Sequence, residues 1–398
     1  MSILFSPKEI GPVEIKNRFA AASTGESMAL ETGEITDMLI NRYRSIAKGG
    51  VGLVIPGYMY INPVGREARF QVGIYDDAKI PGLKRLTQTV HDNGSKIFFQ
   101  LDHAGRQTYK YLIGGQTPLA PSAGSSDQIF RVKPRAMTSE EVKQTINDFA
   151  NAAKRASDSG ADGIQIKAAN GYLLNQFLSP FFNQRKDEWG GSDENRYQIL
   201  REVIRACRKA IKSNMALIVK LCTNDYTPKP GITPELAKKY AGWLVQDGID
   251  GLETSQGTFA FSMMNVCRGD VPVGDFVKSV PIWMRPIAWL ALRRWVGKYN
   301  AEEGWNLADA RIVKTAIGDK PLLLVGGLRK LKTMQTIVEE KEADFISLCR
   351  PLIREPNLVE KFRTNQSEVA KCVSCNQCAV SGIRNLPVRC YYRETIQE

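Results

Sequence analysis

The sequence predicts a (β/α)8 TIM barrel, and three observations predict it. Apolar runs and helical stretches alternate eight times along the 398 residues. Glycines punctuate the expected helix ends. One apolar run, Gly163–Lys167, opens into a loop that carries Lys167, Asn170 and Tyr172 close together. A cluster of polar side chains at the end of an apolar strand is how an α/β barrel mounts an active site on its top face.

The elements follow in order. Strands are expected near 18–23, 51–57, 96–101, 162–167, 216–221, 249–254, 321–325 and 343–348. Helices are expected near 35–48, 81–93, 139–159, 194–212, 233–247, 307–317, 330–340 and 356–364. Gly49-Gly50 closes the first helix, Gly160 the third and Gly248 the fifth, each where a left-handed residue can end the helix. Thr138-Ser139-Glu140-Glu141 reads as a helix start with acids in the first turn. Two connections, 102–138 and 255–305, exceed ordinary loop length. Both leave the C-terminal ends of strands, so both are expected to cover the mouth of the site. The chain divides into a barrel, 1–365, with 255–305 as a capping insertion, and a cysteine-rich C-terminal tail, 366–398.

Composition bounds the rest. Hydrophobic content of 43% and charged content of 24% are those of an ordinary globular protein. The net charge of +12 favours anionic partners. The basic residues are dispersed and form no nucleic-acid motif, which argues against nucleic acid as a partner. Met1–Pro12 contains Lys8 and Glu9 and lacks the apolar core of a signal peptide. No run of about 18 uncharged apolar residues is long enough to span a bilayer. A cytoplasmic protein is the expectation. The segment Ile282–Trp295 is aromatic and basic at once. Three readings of 282–295 stay open: a helical lid over the substrate, a subunit contact in a homo-oligomer, or an interfacial helix on an anionic membrane.

Nucleotide loops of the common kinds are missing. Gly50-Val51-Gly52 lacks the third glycine of a dinucleotide fingerprint, and no Walker loop occurs. A barrel-type phosphate site is expected instead. Gly326 and Gly327 end a very apolar strand, where bare backbone N–H groups can approach a phosphate. Arg350 follows the next strand and can pair with the same group. At the other end of the site, strand alternation points Ile164 and Ile166 one way and Gln165 and Lys167 the other. Lys167 and Asn170 can hold a substrate oxygen and Tyr172 can supply a proton. The plainer alternative is a barrel loop with solvated polar groups. Of the two histidines, His91 reads as a helix-surface residue, and His103, just past Gln100, as a residue of the mouth.

Taken together, these motifs resemble the old yellow enzyme family of flavin-dependent ene-reductases. The resemblance rests on Lys16-Asn17-Arg18-Phe19, on Gln100–Arg106, and on Asn170-Gly171-Tyr172-Leu173 with Gln176-Phe177-Leu178-Ser179-Pro180. It extends to Asn183–Arg196, Val325–Arg329 and Cys349–Ile353, in the same order along the chain. The resemblance implies FMN as cofactor and NAD(P)H as reductant. It implies Gln100 and Lys220 at the flavin pyrimidine edge, Thr24 beneath the flavin, and Gly326, Gly327, Cys349 and Arg350 at the phosphate. It also implies Tyr172 as proton donor to an activated alkene that receives hydride from flavin N5, with Lys167 and Asn170 on the substrate oxygen. Two positions depart from the family. Lys220 stands where Arg is more common, and Lys167 stands where His is usual. A lysine is a stronger cation than a neutral imidazole, so substrates whose oxygen carries more charge, such as enoates, are expected to be preferred.

Cys372, Cys375 and Cys378 form a C-x2-C-x2-C run, and Cys390 follows. Three thiolates at this spacing can hold three corners of a [4Fe–4S] cluster, with the fourth closing it. Zinc, or free thiols without metal, remain open. The placement resembles the cluster segment of dienoyl-CoA reductase and trimethylamine dehydrogenase relatives, whose chains continue into a nucleotide-binding domain. The sequence here ends at Glu398 without one, so a separate ferredoxin-type protein is an expected electron donor. Two rival readings stand beside an ene-reductase acting on a small-molecule alkene. One is an iron–sulfur flavoprotein dehydrogenating or demethylating amines or ethers. The other is a non-catalytic barrel that binds an anion.

Overall fold

The computed structural model describes residues 2–127, 129–228 and 231–392. Eight parallel strands close on themselves: β1 (Phe19–Ala21), β2 (Leu53–Val54), β3 (Lys96–Asp102), β4 (Gly163–Ala168), β5 (Ala216–Cys222), β6 (Gly251–Ser255), β7 (Leu322–Val325) and β8 (Phe345–Leu348). β8 pairs with β1, and β1 pairs with β2, so the cylinder has no free edge. The strands agree with the sequence pattern, and β2 is the most shortened against expectation. β2 stops at Val54, two residues before Pro56, which has no N–H to continue a ladder.

The helices packed outside are α1 (Asp37–Lys48), α2 (Ile80–Asp92), α3 (Ser139–Asp158), α4 (Asp193–Ala210), α5 (Pro234–Gln246), α6 (Leu307–Ile317), α7 (Leu331–Glu339) and α8 (Leu358–Arg363). Their starts are chemically specified. Thr138 accepts from the Glu141 N–H and the Glu141 carboxylate accepts from the Thr138 N–H, a reciprocal cap worth about 1 kcal/mol.

Alternation along the strands makes two apolar layers. Leu53, Phe98, Ile218, Leu323 and Phe345 point into the barrel and pack with Ile10, Val13 and Ile15. The last three belong to an N-terminal hairpin, Lys8–Ile10 against Val13–Ile15, that plugs the bottom. Phe99, Leu101, Ile164, Ile166, Val219 and Leu324 point out against the helices. With the lower barrel filled by side chains, open space is left at the C-terminal ends of the strands.

Both long connections reach that end. The first contributes Tyr109, Tyr111 and Phe130 to the cavity wall, and the second contributes Phe259, Met263, Cys267 and Trp305. The segment 282–295 does not line the cavity. Its helix, Arg285–Arg293, is an outer layer whose Leu292 and Trp295 pack on Met263, Met264, Val271, Phe276 and Val380. Among the described residues, no helix is long and apolar enough to cross a membrane.

Candidate active site

One cavity of about 500 Å³ opens over the strand ends. The expected residues Thr24, Gln100, Lys167, Asn170, Tyr172, Lys220, Gly326, Gly327, Cys349 and Arg350 all line it, although they are far apart in sequence.

Its floor is a hydrogen-bonded ring of strand residues. Ser23 donates to Gln100 Oε1 at 3.0 Å, Gln100 donates to Gln165, and Gln165 Nε2 donates to Glu253 Oε2 at 3.0 Å. The Lys220 ammonium pairs with the same Glu253 oxygen at 3.1 Å. Register explains the assembly: Gln100 lies beside Gln165, Lys167 beside Lys220, and Lys220 beside Glu253. The side chains of Glu253 and Lys220 are almost fully buried. A buried charge survives there because it is paired. Thr24 sits at the edge of this floor, its hydroxyl 3.0 Å from the Cys349 sulfur.

The same alternation carries an acid into the site. Gln100 and Asp102 are two apart on β3 and face inward, whereas His103 faces away. The His103 ring is buried and its Nδ1 accepts from the Gly105 N–H at 3.0 Å. Burial holds its pKa down at about 3. His103 therefore does not line the mouth as expected; Asp102 reaches Lys167 instead. His91 lies at the end of α2, where its Nε2 is 2.6 Å from Asp162.

Lys167 has an unusual environment. Its ammonium lies 3.3 Å from the ring centres of both Tyr58 and Tyr172. Cation–π attraction of up to about 2 kcal/mol per ring is expected for a desolvated pair. The Asp102 carboxylate is 3.8 Å from it and fully buried. Both phenols donate to one oxygen of Glu67, Tyr172 at 2.9 Å. Two rings and two acids thus enclose one ammonium. Burial lowers the Lys167 pKa to about 8, against the pull of Asp102 and Glu67. Burial raises Asp102 to about 7, with Lys167 opposing. Burial also raises Glu67, opposed by Lys167 and the phenols, and raises Tyr172, which the nearby Glu67 charge pushes further up. The Tyr172 phenol is therefore held protonated beside a carboxyl group.

Asn170 lines the cavity, but its amide is engaged behind it. Nδ2 donates to Ser255 Oγ at 3.1 Å and to the Gln256 carbonyl at 3.0 Å. Its backbone is left-handed, φ 59°. That conformation suits Asn and turns the chain so that Tyr172 points back over Lys167.

The far end of the cavity is cationic and glycine-lined. Gly326 and Gly327 have φ of 134° and 70°. A Cβ on Gly327 would stand 2.2 Å from the Glu302 carbonyl and 2.4 Å from the Trp305 ring. The Trp305 indole N–H and the Ser347 hydroxyl are buried and lack hydrogen-bond partners among the described residues. Arg329 also lines this end, and the Arg350 guanidinium stacks over Trp305 at 5.5 Å. Arg350 donates to the Arg268 carbonyl at 2.8 Å and to Asn376. Unmet donors, close backbone and two guanidinium groups fit a phosphate-bearing cofactor.

Cys372, Cys375, Cys378 and Cys390 surround a second, small cavity of about 20 Å³, and Cys372 and Cys378 line the main cavity as well. Among the described residues no three His, Cys, Asp or Glu side chains converge as a metal-ligand group. The expected ligand set is therefore adjacent but not gathered. Protonated thiols have no mutual attraction, and metal binding itself supplies the energy that draws such ligands in. The donor set still suits a thiolate site. Burial raises the Cys378 thiol to about 12 and also raises Cys372, and Arg350 pulls both down. Arg354 reaches the Cys390 sulfur at 3.4 Å.

Tyr58, Glu67, Asp102, Glu253 and Trp305 were not singled out from the sequence. Asp102 carried a signal, since it lies two residues past Gln100 on an inward face. Tyr58, Glu67 and Trp305 come from loops, where no periodicity exists to show direction.

Comparison with known proteins agrees with this geometry. The sequence matches the NADH:flavin oxidoreductase / NADH oxidase family over residues 3–265. It is 33% identical to a 4,4'-dithiodibutanoate disulfide reductase of Rhodococcus erythropolis, covering 94% of this chain and 92% of that one. It is 32% identical to an NADH oxidase of Thermoanaerobacter brockii, covering 97% of this chain but 55% of that one, so the chain spans about half of that relative. The fold superposes on the old yellow enzyme homologue from Zymomonas mobilis with a TM-score of 0.73 at 25% identity, covering 94% of this chain and 95% of that one. On a 2-naphthoyl-CoA reductase the TM-score is 0.84 at 25% identity, covering 98% of this chain and 56% of that one. With its barrel, its strand-end polar ring and its glycine-lined anion end, the chain is an oxidoreductase belonging to the NADH:flavin oxidoreductase, or old yellow enzyme, family.

Proposed function

We propose that this protein binds FMN and reduces the activated C=C bond of an α,β-unsaturated carbonyl or carboxyl compound, with NAD(P)H as the source of electrons. The observation that carries the reading is the Lys167–Tyr172 pair: a buried ammonium against the ring of a protonated phenol, both facing the cavity. When bound, FMN would accept a hydride from NAD(P)H and deliver one to an electron-poor carbon.

The chain's own residues would do the rest. Gly326 and Gly327 present backbone N–H groups to the phosphate, with Arg329, Arg350 and the Trp305 indole N–H beside them. Thr24 and Cys349 bound the cofactor space from β1 and β8. Gln100 and Lys220 face the cofactor's polar edge, where a fixed cation favours the negative charge that builds on reduction. Lys167 attracts the substrate oxygen and stabilises its developing negative charge. Asn170 positions this loop through Ser255 and Gln256 while lining the same pocket. Tyr172 gives its hydroxyl proton to the α-carbon, and solvent returns one by way of Glu67, whose carboxyl group accepts from that hydroxyl.

Because Lys167 is a full cation, enoates and acidic enones are the preferred substrates. Turnover of cinnamate-type acids and of 2-cyclohexenone by the wild type and by Lys167→His tests this. A carboxylate preference present only in the wild type supports it, and equal preferences in both proteins contradict it.

The rival amine reading has one observation in its favour: two aromatic rings and two acids are a setting for a cation. Lys167 already occupies that setting, and its charge repels a substrate ammonium. The cysteines are proposed to hold a [4Fe–4S] cluster, which would offer a ferredoxin-type protein a second route for electrons to the cofactor cavity. Iron and sulfide quantified on anaerobically purified protein, with Cys375→Ser as control, test it: about four irons per chain support the cluster. Stoichiometric zinc, or no metal, contradicts it.

A further inference from the structure

Between Asp275 and Glu302 the chain has no acidic residue but carries Lys278, Arg285, Arg293, Arg294 and Lys298. The same stretch exposes Ile282 (75%), Trp283 (73%), Ile287 (67%) and Leu290 (60%). Such large side chains are unusual neighbours on an open surface. Lys278 is paired with Asp275, whereas Arg293, Arg294 and Lys298 make no ion pair among the described residues. The Arg293 guanidinium instead stacks on the Trp289 ring at 4.7 Å.

The helix Arg285–Arg293 has two sides. Ala288 and Leu292 turn toward the protein, and Leu292 packs with Trp295 and Tyr299 on the cluster around Met263 and Val380. Ile287, Trp289, Leu290 and Arg293 turn outward. The helix is anchored on one side and left uncovered on the other, with Trp, branched aliphatics and Arg together.

We propose that this face docks on an anionic lipid surface, with Trp283, Ile287 and Leu290 entering the headgroup–acyl boundary and Arg293, Arg294 and Lys298 meeting the lipid phosphates. The uniform positive charge selects an anionic occupant. A symmetric contact with a second copy would lay the same cations against themselves, at a repulsive cost. A convex helix with tryptophan and arginine side by side matches the polarity gradient of a bilayer interface, where indole rings sit at headgroup depth. The face lies outside the cavity wall: Met263, on which the helix's underside packs, also lines the cavity.

The test is flotation of the full chain with extruded vesicles. One set is phosphatidylcholine alone, and the other is phosphatidylcholine mixed with phosphatidylglycerol. The wild type is expected to float with the mixed vesicles, to stay behind with the neutral ones, and to be released by high salt. Arg293→Glu with Arg294→Glu should weaken binding by roughly thirtyfold or more, at about tenfold for each 1.4 kcal/mol of lost attraction. Trp283→Ser with Leu290→Ser should also abolish flotation. Both variants should keep the wild-type visible spectrum and alkene turnover, which separates lost docking from lost folding. Absence of wild-type flotation overturns the proposal, whether the face then proves to bind an acidic protein or to join two copies. Flotation that both variants retain overturns it equally.

Discussion

The Lys167 ammonium lies 3.3 Å from the ring centre of Tyr172, the residue whose hydroxyl donates to Glu67. The charge that would hold a substrate oxygen and the phenol that would protonate the adjoining carbon are therefore one unit, closed by Tyr58 on the other side and by the buried Asp102.

This coupling sets a pH dependence. Lys167 is charged below its pKa of about 8, and Asp102 is ionised above about 7. Alkene reduction needs the ammonium, so kcat/KM is expected to fall as pH rises through about 8. Asp102 is a charge that holds the Lys167 pKa up. Asp102→Asn should move the alkaline limb to lower pH. A pH–rate profile of both proteins checks this, and a limb that does not move shows that Lys167 is not the titrating group.

Tyr172→Phe keeps the ring over Lys167 and removes the proton. Reduction of the alkene is expected to slow by about 10²- to 10⁴-fold, the usual worth of a positioned acid. Reduction of the bound cofactor by NAD(P)H should be little changed. Stopped-flow measurement of the two half-reactions separates these effects.

How much of this was legible in the sequence depends on regularity. All eight strands and the helices outside them were readable, because period-2 and period-3.6 patterns are imposed by burial on one face. The facing of Gln165 and Lys167 against Ile164 and Ile166 followed from the same rule. His103 was misread for want of applying it one strand earlier: counting by two from Gln100 leads to Asp102, not His103. Tyr58 and Glu67 lie in the connection after β2, far in sequence from Lys167 and Tyr172, and no spacing links them. The aromatic segment 282–295 was visible as a composition. Its direction was not, because a helix with apolar residues all round does not reveal which side is covered.

Lys167→Met leaves two tyrosine rings and two acids around an uncharged side chain. The variant is expected to bind tetramethylammonium, with affinity gained by roughly tenfold or more from cation–π attraction to two rings. Titration followed by the cofactor's absorption checks it. Wild type and variant showing the same weak response would mean that the lysine does not exclude cations.

Gly327→Ala places a methyl group against the Glu302 carbonyl and the Trp305 ring on backbone that is left-handed at φ 70°. The backbone strain alone is about 1–2 kcal/mol. The variant should fold yet lose most of its cofactor on gel filtration, whereas Gly242→Ala, on α5 with open space at its Cβ and outside the cavity wall, should retain it. Cofactor content per chain is the measurement.

Alkene reduction at the Lys167–Tyr172 pair can be watched in a single-turnover experiment. Protein reconstituted with FMN is reduced anaerobically, separated from reductant, and mixed with an enoate. The oxidised cofactor spectrum should return with one saturated product per chain, and much more slowly in Tyr172→Phe. A cofactor that stays reduced with enoates and enones alike, in a protein whose oxidised form is bleached by an amine, would contradict it.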